Sequence, residues 1–463
     1  MQKKNLSILF LFFFALTFVL YSQASATKSR LSGMGDLSVV IEDESNMINL
    51  WDFAKNPAGF LDDEKGSVVR GDFLWDTYEI RNLAQYDEYG HISKYKVNGD
   101  LLDSWLSSSL RDEKGFAMGV EGNYFSRQTD SKDQKNKYTS PKILLVFTKQ
   151  LDPLTSFGSS LRYLEDKWEL KFKPYQDNYE KKVKDFQAEI GVSRKLTSDV
   201  ILGATLGYDS FKRSHNPEEK ISISSYYVPD SYALWLSGQT LVEIERKLKL
   251  SLETTFRFKR ADFQSLYFDY VYFRDNKREN YYYSYLKFRG VYDLTPKFRI
   301  GLFFFDNELY HEFEEPLYSY YSLYPYEFTV RHWGAGCSYK LGRNMMVGAE
   351  YHFRDSSQPG EDNNIWGWKD ESLHLGLEGK LKEDWSLRGG FIRTETNENP
   401  NYIKKRYIWE NTLTSGFGYE PERLNLLLEF SYRYTFKKFK QFWGDPDLNS
   451  TSHVFALSFK KGF

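Results

Sequence analysis

Over most of its length this chain is written with a period of two. From Leu424 to Phe436 one face reads Leu424, Leu426, Leu428, Phe430, Tyr432, Tyr434 and Phe436, and the other Asn425, Leu427, Glu429, Ser431, Arg433 and Thr435. A strand with one face in lipid and the other toward a polar lumen takes this form. The scheme recurs. Val200, Leu202, Ala204, Leu206 and Tyr208 oppose Ile201, Gly203, Thr205, Gly207 and Asp209; Phe186, Ala188, Ile190 and Val192 oppose Gln187, Glu189, Gly191 and Ser193. Leu373, Leu375, Leu377 and Leu381 oppose His374, Gly376, Glu378 and Lys380.

The connectors alternate too. Tight ones fall at 112–115, 152–153, 196–199, 247–249, 294–297, 341–344, 381–384 and 420–423, and long polar ones at 127–138, 212–231, 260–280, 306–327, 354–370, 394–405 and 437–451. Short turns at one rim and long loops at the other are the asymmetry of an outer-membrane barrel. Eight tight turns with a strand on each outer end imply about 18 strands. Merging the weaker candidates, 100–110 and the segment from Gly66, lowers this to 14 or 16. The expected fold is therefore all-β: a transmembrane antiparallel up-and-down β-barrel of about 14–18 strands over residues 66–463.

Bulk properties agree. The mean hydropathy is −0.59, and nothing after Tyr21 approaches the ~20 apolar residues of a spanning helix. A barrel needs apolar residues only at alternate positions, so it crosses lipid at ordinary hydropathy. Aromatic residues make up 18% of the chain, 35 of them Tyr, and such rings favour the lipid–water interface. A net charge of −2 leaves no basic excess for nucleic acid. Cys337 is the only cysteine, so no internal disulfide can form.

The first 26 residues read as a cleavable leader. Lys3 and Lys4 precede an apolar run from Leu6 to Tyr21, and Ala24-Ser25-Ala26 offers a cleavage site after Ala26. At the other end Phe455, Leu457, Phe459, Lys461 and Phe463 share one face. A last strand ending on Phe463 resembles the signal read by the barrel-assembly machinery, which is therefore an expected partner, beside outer-membrane lipid.

Residues 27–65 do not read as barrel. Gly33-Met34-Gly35 is followed by a short apolar stretch, the acidic pair Asp43-Glu44, and the turn-forming Asn56-Pro57-Ala58-Gly59. In these motifs the segment resembles the beginning of the FadL-type long-chain fatty-acid outer-membrane transporters. The resemblance implies three parts: a signal peptide (1–26), a hatch that plugs the lumen (27–65) and the barrel (66–463). It makes Gly33, Met34, Gly35, Asn56, Pro57 and Gly59 the candidate hatch or binding residues.

No catalytic set stands out, and no enzyme, cofactor or metal site is expected. The seven His residues are scattered, without metal-ligand spacing along the chain. His332, His352 and His374 fall in candidate strands, where hydrogen-bond networks are their expected role. Glu243, Arg257, Arg289, Glu350, Glu378, Arg388, Glu429 and Arg433 should face the lumen, since each would cost about 2–4 kcal/mol on the lipid side. The leading expectation is an outer-membrane transporter or channel for small hydrophobic solutes. Solute would be collected on aromatic loop residues such as Tyr281-Tyr282-Tyr283 and 317–326. The alternative is a non-transport scaffold or secretion-associated barrel acting through its extracellular loops.

Overall fold

The computed structural model describes Met34, Leu37, Ala58 and residues 67–462, except 87–91, 113, 131–133, 173–176, 218–224, 246, 267–273, 314–325, 343, 360–364, 400–405, 422–423, 425 and 441–447. Eighteen strands run in chain order. The first six are β1 (Val68–Tyr86), β2 (Ile92–Arg111), β3 (Phe116–Asp130), β4 (Gln134–Asp152), β5 (Thr155–Phe172) and β6 (Asp177–Lys195). Next come β7 (Val200–Pro217), β8 (Ser225–Ile244), β9 (Leu248–Leu266), β10 (Arg274–Thr295), β11 (Phe298–Phe313) and β12 (Tyr326–Leu341). The last are β13 (Met345–Pro359), β14 (Ile365–Lys382), β15 (Trp385–Asn399), β16 (Arg406–Tyr419), β17 (Leu426–Lys440) and β18 (Leu448–Gly462).

Every strand pairs antiparallel with its chain neighbours, and β1 pairs with both β2 and β18, closing the sheet. At the seam Gly71 lies opposite Phe459, whose ring fills the space a side chain there would take; a Cβ on Gly71 would stand 2.5 Å from it. The 18 strands stand at the top of the expected range, and both weak candidates, 100–110 and the segment from Gly66, fall in true strands (β2 and β1). Among the described residues no helix is long and apolar enough to cross a membrane.

The faces divide as the alternation requires. Leu206, Leu236, Phe256, Leu302, Leu413 and Leu457 point outward and are about half exposed, a condition suited to lipid rather than water. The opposite positions, such as Glu189, Asp209, Glu350, Glu378, Arg388 and Glu429, are buried on the lumen side. Outward rings form rows: Tyr232, Phe258, Tyr282 and Tyr310 follow one another across β8–β11 at 5.4–6.4 Å between centroids. Trp385 and Tyr419 pair at 4.5 Å near the tight-turn rim. Rings at both levels match the paired interfacial girdles of membrane barrels.

Tight connections fall at or beside all eight expected positions; the one expected at 247–249 lies slightly earlier, between Ile244 and Leu248. Gly115 and Gly342 supply positive φ in two of them. In the β4–β5 turn the Leu154 N–H donates to Asp152 at 2.7 Å, which holds that exposed carboxyl below the usual range. The long connectors are different. Much of what reads as polar loop is strand: β3 and β4 run to Asp130 and from Gln134, and β10 begins at Arg274. Past the lipid boundary neither face must be apolar, so alternation stops while the hydrogen-bonded ladder continues.

Charges in the lumen are organised across several strands. Arg388 of β15 donates Nε–H to Glu378 Oε1 of β14 at 2.9 Å. Its Nη2 also lies 2.7 Å from Glu429 Oε1 of β17, an ion-pair distance although the angle is not that of a hydrogen bond. The guanidinium reaches across β16 because Gly418 stands between; a Cβ there would be 2.8 Å from Arg388 Nη2. The three side chains are 3%, 11% and 1% exposed, so removing the cation alone takes a charged partner from two buried carboxylates at once. Arg388→Met is expected to destabilise the barrel by about 3–5 kcal/mol, read as a lowered urea midpoint in lipid vesicles. Adding Glu378→Gln and Glu429→Gln should restore most of the loss.

Candidate functional site

The lumen face of β5–β11 encloses a hollow of about 470 Å3, a size suited to a small solute. Its residues follow from parity: odd positions of β6–β11 and even positions of β5 face inward. Arg162 of β5, Gln187 and Glu189 of β6, and Arg257 and Lys259 of β9 give it a charged side. Trp235, Tyr281, Tyr283 and Tyr285 give it an aromatic side, with Leu309 beyond them.

The charged groups are held in place by one another. Arg257 is hydrogen-bonded to Asp209, which is buried on β7. Ser160 Oγ donates to Glu189 Oε2 at 2.6 Å, and the Tyr285 hydroxyl donates to Glu253. Lys259 Nζ stands 4.2 Å from the centre of the Phe211 ring and 5.1 Å from that of Tyr281, so its charge is met by aromatic faces. Trp235 has its position because Gly207 opposite it is bare; a Cβ there would fall 2.0 Å from the indole. What this arrangement offers is binding: flat apolar walls with fixed cations and hydroxyls at one side.

A second hollow, of about 550 Å3, is lined by the outward Leu206, Leu234, Leu236, Phe256, Phe258, Tyr282 and Tyr310. It shares Trp235, Arg257 and Tyr283 with the first, so the two spaces back onto one stretch of wall in β8–β10.

Tyr281-Tyr282-Tyr283 is not a loop surface. The run lies within β10, with Tyr281 and Tyr283 toward the lumen hollow and Tyr282 toward lipid. Of the other proposed collecting residues, 317–325 lie outside the described residues and Tyr326 opens β12.

Of the candidate hatch residues, Met34 is fully buried, as is Leu37; Gly33, Gly35, Asn56, Pro57 and Gly59 lie outside the described residues. Ala58, within the second motif, is also fully buried. Met34 and Leu37 sit inside the barrel on Gly348 of β13 and Gly376 of β14, which face each other across the ladder. A Cβ on Gly376 would lie 2.1 Å from the Met34 carbonyl oxygen, and one on Gly348 would lie 2.6 Å from Leu37 Cδ1. Met346 packs against the same pair.

Directly along that lumen face lie three histidines which spacing in the sequence did not connect. His332 Nε2 is 3.2 Å from His352 Nδ1, and His352 Nε2 is 3.0 Å from Glu350 Oε2. The His352 and His374 rings are 4.6 Å apart, and His374 bonds Ser372. The expected hydrogen-bond network is present. The signal that would have found the pair is the tight turn: counting outward from Leu341 opposite Met345 sets Gly334 opposite His352, with His332 diagonal to it.

No family model and no curated protein matches the chain. Among solved structures it is similar to the Pseudomonas putida toluene transporter TodX, at 10% identity and a TM-score of 0.38 over 96% of this chain and 100% of that one. It is also similar to the CymD monoaromatic hydrocarbon channel, at 13% identity and a TM-score of 0.39 over 96% and 99%. The ferric yersiniabactin uptake receptor FyuA from Yersinia pestis matches at 10% and 0.48 over 85% and 80%. Likeness at this level carries no inference about what this barrel does, which rests on its own geometry.

The lumen hollow can be probed directly. Trp235→Ala removes the indole from the aromatic side and Gly207→Ala pushes it out of place. Each is expected to weaken binding of a small apolar aromatic such as N-phenylnaphthylamine by about tenfold, or ~1.4 kcal/mol, in a fluorescence titration. Unchanged affinity in both would mean that the probe does not occupy this hollow.

Proposed function

We propose that this chain is an outer-membrane transporter that carries small, mainly hydrophobic solutes through its lumen, with residues 27–65 acting as a hatch. The observation that carries this reading is the seating of Met34 and Leu37 on the Gly348–Gly376 pair inside the barrel. Eighteen strands enclose a lumen wide enough for an aqueous channel, as in porins. A chain segment lodged within such a lumen obstructs free flow, which suits regulated passage and gives nothing to a scaffold working through its outer loops. The aromatic-lined hollow supports an apolar solute, and the paired charges beside it argue against an ion-selective pore.

Export by a leader cleaved after Ala26 and docking of the C-terminal strand through Phe463 belong to the same reading. Its hydrocarbon-facing band and two rows of interfacial rings fit an outer membrane.

The test is uptake of N-phenylnaphthylamine into proteoliposomes, alongside ion conductance in planar bilayers. Gly376→Leu, which fills the seat of Met34, and deletion of residues 27–65 should each raise conductance several-fold. Uptake by the intact barrel should exceed that of empty vesicles. If the intact barrel neither binds nor passes the probe, and deletion of 27–65 changes neither readout, the transporter reading fails.

A further inference from the structure

We propose that His332 and His352 form a binding site for a divalent transition-metal cation of borderline softness, such as Zn2+, Ni2+ or Cu2+, with Glu350 as the residue that positions His352. The site lies on the lumen wall of β12 and β13, two inward positions along β13 from the glycine seat of Met34 and Leu37, and does not depend on which solute the barrel carries.

The first argument is distance. Two imidazole nitrogens bound to one zinc at about 2.0–2.1 Å, with a near-tetrahedral angle between them, stand roughly 3.3 Å apart. His332 Nε2 and His352 Nδ1 are 3.2 Å apart. In the metal-free pair His332 Nε2 carries the proton donated to His352 Nδ1, so an ion is taken up as His332 passes through lumen water to its Nδ1–H tautomer, and rotation of the rings then turns both lone pairs to one side of the line joining them.

The second argument is the partner behind the ligand. A metal-binding histidine characteristically donates its other ring N–H to a carboxylate, which fixes the tautomer and strengthens the ligand nitrogen. His352 Nε2 lies 3.0 Å from Glu350 Oε2, and the Glu350 side chain is fully buried. With the His352 proton on Nε2, its Nδ1 lone pair points toward His332, as a ligand requires.

Third, the neighbourhood is compatible. His332 keeps partial exposure to the lumen, so an ion has access and water can complete its coordination. Arg354 lies opposite His332 on the same face, but its guanidinium is stacked over the Trp368 ring at 4.3 Å. Phe303 meets the His332 ring edge to face at 5.0 Å between centroids. The side chains do not close round a point by themselves: among the described residues no three His, Cys, Asp or Glu groups are placed to hold an ion together. The site is thus a two-histidine clamp with remaining positions left to water or to a passing ligand, which implies exchangeable rather than structural binding.

The experiment uses the full exported barrel in detergent, titrated with Zn2+ by calorimetry and with Cu2+ by electron paramagnetic resonance. One ion per chain is expected, with a Cu2+ spectrum split by two imidazole nitrogens; this readout needs no variant. His332→Asn and His352→Asn should each weaken Zn2+ binding at least tenfold, and Glu350→Gln by about tenfold. Mg2+ should not compete. His453→Asn, on the distant wall of β18, should leave binding unchanged, and heat-modifiable gel migration would show that each variant is a closed barrel. The proposal is overturned if the wild type binds no stoichiometric Zn2+, if the Cu2+ spectrum lacks two nitrogen ligands, or if the His332 and His352 variants bind as well as wild type.

Discussion

Backbone hydrogen bonding in a medium without water governs this molecule. Within hydrocarbon every N–H and C=O must find a partner in the chain itself, and a sheet can satisfy that demand only by having no edge. Here the demand is met by the pairing of Val68 through Arg81 with the final strand, from Gly462 back to Asn449. All else is subordinate to that seam. It joins the first strand of the barrel to the eighteenth. Gly71, beneath Phe459, lets the two strands meet without crowding on the lipid face.

Closure creates a second problem, the filling of an enclosed interior by charged and aromatic groups. One solution recurs: at several places a bulky group lies over a glycine on the neighbouring strand. Gly418 lets Arg388 reach Glu429, Gly207 receives Trp235, and Gly348 with Gly376 receives Met34 and Leu37. Bulk on one strand is matched by its absence on the next. At these points the lumen wall is fitted bulk against gap, although many of its constituents are polar.

Much of this was legible in the sequence, and the limits have physical causes. Alternation located many of the strands where one face meets lipid, and seven of the eight tight turns emerged because Gly, Pro, Asn or Asp marks them. Strand ends were missed at the opposite rim because apolar periodicity vanishes outside hydrocarbon while pairing persists. Tyr281-Tyr282-Tyr283 looked like a surface patch, but a strand sends neighbouring side chains to opposite faces. His332 and His352, 20 residues apart, carry no local signature; only the hairpin register brings them together. The seat of Met34 was beyond reach, since nothing near Gly348 or Gly376 names the chain segment that will lie on them.

The strand lengths have a consequence for solute access. Strands of 14–22 residues, at about 3.4 Å per residue and a tilt near 40°, climb roughly 36–57 Å, against an apolar band of about 25 Å. Outward leucines such as Leu196, Leu294, Leu341 and Leu381 lie beside the tight turns, so the excess height stands at the other rim. The barrel is a chimney whose mouth rises above the bilayer. A solute arriving from the aqueous side meets that opening at a distance from competing lipid.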